Sequence, residues 1–184
     1  ADARLNLTND AVVNASGPIT VHANGTLSMD ENTPVDFSLL STTADVIFEG
    51  GELELKGGTL AISGARFVPN TGPLVFAGSD QGNVNPGLRL TDGATMDVSG
   101  ALTVATDRNF GLSIFSGSRV TSASGILADV SPASDVVVSV SGEQSAWDIA
   151  GDLMVGAVGN GVLFVSSEAE LTSGDAILSP QQGF

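Results

Sequence analysis

Residues 100–127 read GALTVATDRNFGLSIFSGSRVTSASGIL, and residues 151–178 read GDLMVGAVGNGVLFVSSEAELTSGDAIL. At an offset of 51 residues, Gly100 falls on Gly151, Leu102 on Leu153, Val104 on Val155 and Asn109 on Asn160. The register continues through Leu112 and Leu163, Ile114 and Val165, Val120 and Leu171, and Thr121-Ser122 with Thr172-Ser173. It closes with Ile126-Leu127 on Ile177-Leu178. One unbroken offset joins apolar positions, a turn asparagine and a Thr-Ser pair, which marks a repeat architecture.

Inside each copy apolar and polar residues alternate in short bursts, such as Leu102-Thr103-Val104 and Leu112-Ser113-Ile114. A period of two is that of a strand with one face buried. Similar bursts recur upstream at Leu5-Asn6-Leu7, Ile19-Thr20-Val21, Leu53-Glu54-Leu55, Leu60-Ala61-Ile62 and Leu88-Arg89-Leu90. No stretch holds apolar residues at helical spacing over three turns, so a helix-rich or alternating β/α fold is not expected. Strands near Leu88, Met96, Leu102, Leu112, Val120 and Ile126 fit one period, and hence two coils of roughly 25 residues with three strands each.

The expected fold is therefore all-β: a right-handed, three-sided parallel β-helix of roughly seven or eight coils, ~35–40 Å long at ~4.8 Å per coil. Residues 1–184 form one solenoid domain, with the clearest repeats over 87–179 and irregular coils over 1–86. Leu102, Val104, Leu112, Ile114, Val120, Ile126, Leu153, Val155, Leu163 and Val165 are expected inside. A Gly-rich antiparallel sandwich is the competing fold. Asn24-Gly25 and Asp92-Gly93 suit its hairpins, but it does not explain a 51-residue register.

Composition agrees with a β fold. Glycine supplies 23 of 184 residues, and long helix-forming side chains are scarce. The formal charge is −15, from 21 acids against 6 Lys and Arg. Such a surface repels phosphate and anionic lipid, so neither a nucleic acid nor a lipid headgroup is an expected partner. No apolar run approaches the ~20 residues of a membrane-spanning helix. Cysteine is absent, which removes disulfides and Cys-ligated metals.

Residues 145–173, SAWDIAGDLMVGAVGNGVLFVSSEAELTS, resemble the repeat of autotransporter-type passenger domains. In that repeat S-x-W-x-x-x-G-x-L-x-V-G-x-x-G-x-G-x-L-x-V leads through a small-residue turn to V-T-S. Ser145, Trp147, Gly151, Leu153, Val155, Gly156, Gly159, Gly161, Leu163 and Val165 stand at the matching places, and Ser116 to Ser122 carry the end of the preceding copy. Two positions depart from the pattern: Glu168-Ala169 replaces a Gly-containing turn, and Met96 stands where the earlier copy would carry a tryptophan. No outer-membrane barrel follows in this sequence. The resemblance implies a secreted bacterial β-solenoid on the cell surface, either a piece of a longer passenger or a relative delivered by another route.

Catalytic chemistry finds little to stand on. His22 is the only histidine, which leaves neither a zinc site nor a Ser-His-Asp triad. Glu52, Glu54 and Lys56 share one face of a strand, the arrangement of a solvated sheet surface and also of a polysaccharide-cleaving β-helix. Asp80, Asn83 and Asn85 make an oxygen-rich loop whose spacing misses known calcium motifs, so a polar turn closed by Pro86-Gly87 is the simpler reading. Trp147 is expected to pack rather than to stack on a sugar. Asn6, Asn14 and Asn24 fit the glycosylation sequon, for which chance suffices in so Asn- and Thr-rich a chain.

No catalytic, cofactor-binding or metal residue is assigned. The expected role is non-catalytic, an extracellular structural or adhesive solenoid: a passenger stalk, or a subunit stacking head to tail in a surface fibre. Expected partners are further coils of the same chain, other copies through open solenoid ends, or a host or matrix surface. The alternative is a secreted polysaccharide lyase or glycoside hydrolase, which would line one face with three or more acids from adjacent coils.

Overall fold

The computed structural model describes residues 3–7, 11–29, 39–50, 52–55, 58–76, 87–104, 110–128, 135–156 and 158–178. These residues form twenty strands and no helix. In chain order they are β1 (Ala3–Leu7), β2 (Val12–Ala15), β3 (Ile19–His22), β4 (Gly25–Met29), β5 (Leu39–Thr42), β6 (Val46–Glu49) and β7 (Glu52–Leu55). There follow β8 (Thr59–Ser63), β9 (Arg66–Val68), β10 (Leu74–Phe76), β11 (Gly87–Thr91), β12 (Thr95–Val104), β13 (Phe110–Phe115) and β14 (Arg119–Leu127). The last are β15 (Asp135–Ser141), β16 (Ala146–Ile149), β17 (Leu153–Val155), β18 (Asn160–Ser166), β19 (Glu170–Thr172) and β20 (Ala176–Leu178).

Strands that follow one another along the chain lie in different stacks, and each strand pairs in parallel with its counterpart one coil away. One sheet holds seven strands in the order β18-β15-β13-β11-β8-β5-β2, a second runs β19-β16-β14-β12-β9-β6-β3 with β10, β17 and β20 alongside, and β1-β4-β7 form a third. The chain is thus a parallel β-solenoid of about five turns, fewer than the seven or eight coils expected from roughly 25 residues per coil over 184 residues.

The antiparallel sandwich is excluded, because every strand pair among the described residues is parallel. The dipeptides that suggested hairpins serve at corners instead. Asp92 and Gly93 take φ of 56° and 79°, and Asn24 takes 65°, which lets the backbone turn sharply between strands of different stacks.

Inward side chains stack into columns along the rod. Val13, Leu40, Leu60, Leu88, Leu112, Val138 and Leu163 form one column, and Ile19, Val46, Phe67, Met96, Val120, Trp147 and Leu171 another. Burying each large side chain in such a column contributes roughly 1.5–3 kcal/mol. Leu102 pairs with Gly125, and Gly125 with Leu153, so Leu102 and Leu153 occupy equivalent places two rungs apart. The 51-residue period is therefore two coils, as the strand count required.

Three of the ten expected core residues depart from expectation. Ile126 is only partly buried, while Gly125 and Leu127 point inward. A register shift between Val98 and Ala101 explains this: β14 turns its corner with one residue fewer than β12, and alternation resumes in the opposite phase. Leu163 is partly buried and Val165 is 41% exposed, because no further described rung covers β18.

At the corner after β18 the departure from glycine has a structural cost. Ser167 and Glu168 take φ of 55° and 64°, where the preceding copy has Ser116 and Gly117 at 53° and 78°. A side chain in the left-handed region is strained. Glu168→Gly is expected to raise stability by about 0.5–1 kcal/mol, read as a higher thermal midpoint.

Candidate functional site

Outward-facing residues of the ten-stranded sheet also form columns, and one of them carries a hydrogen-bonded polar surface. Strand register aligns Asp97, Thr121, Asp148 and Thr172 on β12, β14, β16 and β19. Thr121 donates its hydroxyl to Asp97 Oδ1. Thr172 Oγ1 donates to Asp148 Oδ1 at 2.9 Å, and Arg119 Nη2 donates to Asp148 Oδ2 at 2.9 Å. A shallow groove of about 450 Å³ runs over these four residues, Ser99 and Ala150.

The chemistry of this groove is that of a brace. Arg119 first, and the Thr172 hydroxyl after it, hold the Asp148 carboxyl below its usual range against partial desolvation. A shift in this direction favours the ionised carboxylate, the opposite of the raised carboxyl that serves as general acid in glycoside cleavage. Asp97 and Asp148 lie two rungs apart, about 9–10 Å along the stack, with Thr121 rather than a third acid between them. Asp45 is held low in the same way by Arg66, which reaches it through its side chain and backbone N–H.

A carboxyl whose folded pKa is depressed adds stability that is fully present above its unfolded value and lost as pH falls through the folded one. Asp148 is partly exposed, so solvent screening limits the effect to roughly 0.2–1 kcal/mol. Asp148→Asn is expected to lower the denaturation midpoint at neutral pH, and the gap from wild type to narrow as pH falls below about 4.

Of the residues singled out in the sequence, His22 and Asn24 line one groove at the first described rung. His22 is exposed, with Nδ1 lying 2.8 Å from Glu49 Oε2 on the neighbouring strand. It borders a groove of about 370 Å³ at the first rung with Arg4, whose Nη2 donates to Ser28 Oγ at 2.9 Å. Glu52 and Glu54 lie on β7 and pair with Thr26 and Ser28, and Leu53 between them packs on the core. Lys56, and the loop with Asp80, Asn83 and Asn85, lie outside the described residues. Asn6, Asn14 and Asn24 are exposed.

Trp147 is buried and packs, as expected: its Nε1 donates to Ser122 Oγ at 3.1 Å inside the stack. Among the described residues no three His, Cys, Asp or Glu are grouped to hold a metal ion. No helix among them is long and apolar enough to cross a membrane. The Asp–Thr column was not foreseen, although the 51-residue offset carries its signal by placing Asp97 on Asp148 and Thr121 on Thr172. No family model matches the chain, and comparison with curated proteins and with solved structures finds no match.

Proposed function

We propose that this chain is a non-catalytic structural or adhesive module of the bacterial cell surface, a right-handed, three-sided β-solenoid serving as a passenger stalk or a head-to-tail stacking subunit of a fibre. The observation that carries the reading is the continuity of the columns. Among the described residues apolar side chains stack rung on rung, from Val13 to Leu163 in one column and from Ile19 to Leu171 in another. Such continuity supports a role in building length. The resemblance of residues 145–173 to passenger repeats supports the extracellular placement, and the charge of −15 argues against nucleic acid.

A second reading, a glycoside hydrolase or lyase, is favoured by one observation, the groove over Asp97 and Asp148. Incubation with acidic and neutral polysaccharides separates the two. No cleavage is expected. Cleavage that disappears in Asp97→Asn with Asp148→Asn, or in the triple variant Glu52→Ala, Glu54→Ala, Lys56→Ala, would replace the structural reading with the enzymatic one.

A further inference from the structure

The last described rung is held differently from the rungs within the stack. Among the described residues β19 pairs only with β16, and β20 only with β17. Leu171 alone of these two strands packs on the core, and Ile177 and Leu178 are 43% and 75% exposed. On β12, within the stack, Met96, Val98, Leu102 and Val104 are all buried. Two carboxylates reach onto the last rung from the strands beneath it. Thr172 Oγ1 donates to Asp148 Oδ1, and the Asp175 backbone N–H donates to Asp152 Oδ1 at 3.0 Å. A Cβ at Gly174 would lie 3.0 Å from that same Asp152 oxygen, so the turn between β19 and β20 closes directly on the carboxylate.

We infer that Asp148 and Asp152 form an acid-sensitive latch: ionised, they hold residues 170–178 against the stack, and their protonation lets this rung open locally. A hydrogen bond to a charged acceptor is stronger than one to a neutral acceptor, and protonation exchanges the first for the second. Arg119 holds the Asp148 carboxyl below its usual range. Its share of the latch is therefore fully present above the ordinary carboxylate value and lost as pH falls through the lowered one. The other charges near the pair are Asp97 on β12, Glu170 on β19 and Asp175 in the turn. These repel the two carboxylates, and acid relieves that repulsion. At an exposed surface it is screened, so the short-range hydrogen bonds decide the sign. Similar bonds within the stack, Arg66 to Asp45 and Thr121 to Asp97, join rungs covered on both sides, where buried apolar columns keep the rung closed without them.

Hydrogen exchange read by mass spectrometry at about pH 6 and about pH 2.5, corrected for the intrinsic pH dependence of exchange, tests the latch. Protection of residues 170–178 is expected to fall by about threefold or more in acid, while that of residues 95–104 holds. Asp148→Asn and Asp152→Asn are each expected to lower the protection of 170–178 by about threefold at the higher pH, and the double variant to lose most of its response to acid. Asp45→Asn, which weakens a bond within the stack, is expected to leave 170–178 as in the wild type. Circular dichroism establishes that each variant keeps its fold. Equal protection of 170–178 at the two pH values would overturn the inference. So would an equal loss over 95–104, or an acid response unchanged in the double variant. The latch requires neither a structural nor a catalytic role of the chain, so it stands or falls apart from the polysaccharide experiment.

Discussion

Trp147→Ala is expected to lower the unfolding free energy by about 3–5 kcal/mol, the range for removing a buried aromatic side chain. Trp147 is fully buried, and its indole fills space left by the missing side chain of Gly125 on the rung before. A Cβ on Gly125 would lie 3.0 Å from Trp147 Cζ2, 2.9 Å from Leu153 Cδ1 and 3.1 Å from Ile149 Cδ1. The preceding copy solves the same packing differently: a shift of 51 residues replaces Trp147 with Met96 and Gly125 with Leu74. A large ring beside a glycine is exchanged for a flexible chain beside a leucine. Trp147→Met alone should therefore leave a cavity, and Trp147→Met with Gly125→Leu should recover about half of the loss or more. Denaturant titration followed by far-ultraviolet circular dichroism measures all three. Equal stability of the single and double variants would show that the two positions do not share one space.

The second large effect is expected at Gly100, where β12 bends. A Cβ there would lie 2.6 Å from both Gly72 C and Pro73 N and 2.8 Å from Gly72 O. These are backbone atoms of the neighbouring coil, fixed between strands, so they cannot swing aside as a side-chain terminus can. Gly100→Ala is expected to cost about 3 kcal/mol. Gly111→Ala is the control: a Cβ at Gly111 meets nothing within 4 Å, and its substitution should change stability by less than about 1 kcal/mol. Thermal denaturation of the pair separates close approach from the general effect of replacing a strand glycine.

Much of this architecture was legible before any coordinates. Alternation at Leu60-Ala61-Ile62, Leu88-Arg89-Leu90 and Leu112-Ser113-Ile114 identified strands whose outer residues are all buried at 1% exposure or less. The offset between Leu102 and Leu153 identified the stacking unit. The phase at Ile126 was not legible, because a corner one residue shorter leaves no mark in residue type, and Ile126 and Leu127 suit the interior equally. The exposure of Val165 belongs to the rung above it, which local sequence does not describe. For the polar column the difficulty was different. Asp97 and Asp148 are ordinary outward acids until strand register stacks them with Thr121 and Thr172, and Arg119 is drawn onto one of them.

A period of two coils also bears on how such a rod changes length over generations. Each rung touches only the rungs above and below it, so a copied or lost block is tolerated when the new junction repeats one already present. A block of 51 residues meets that condition, since it returns Trp147 to a glycine and Met96 to a leucine. A single-coil block of roughly 25 residues would set the indole against the wrong neighbour. Gene-level duplication should therefore lengthen this protein in steps of two coils, and variants isolated from growing repeat arrays should differ in length by even numbers of rungs.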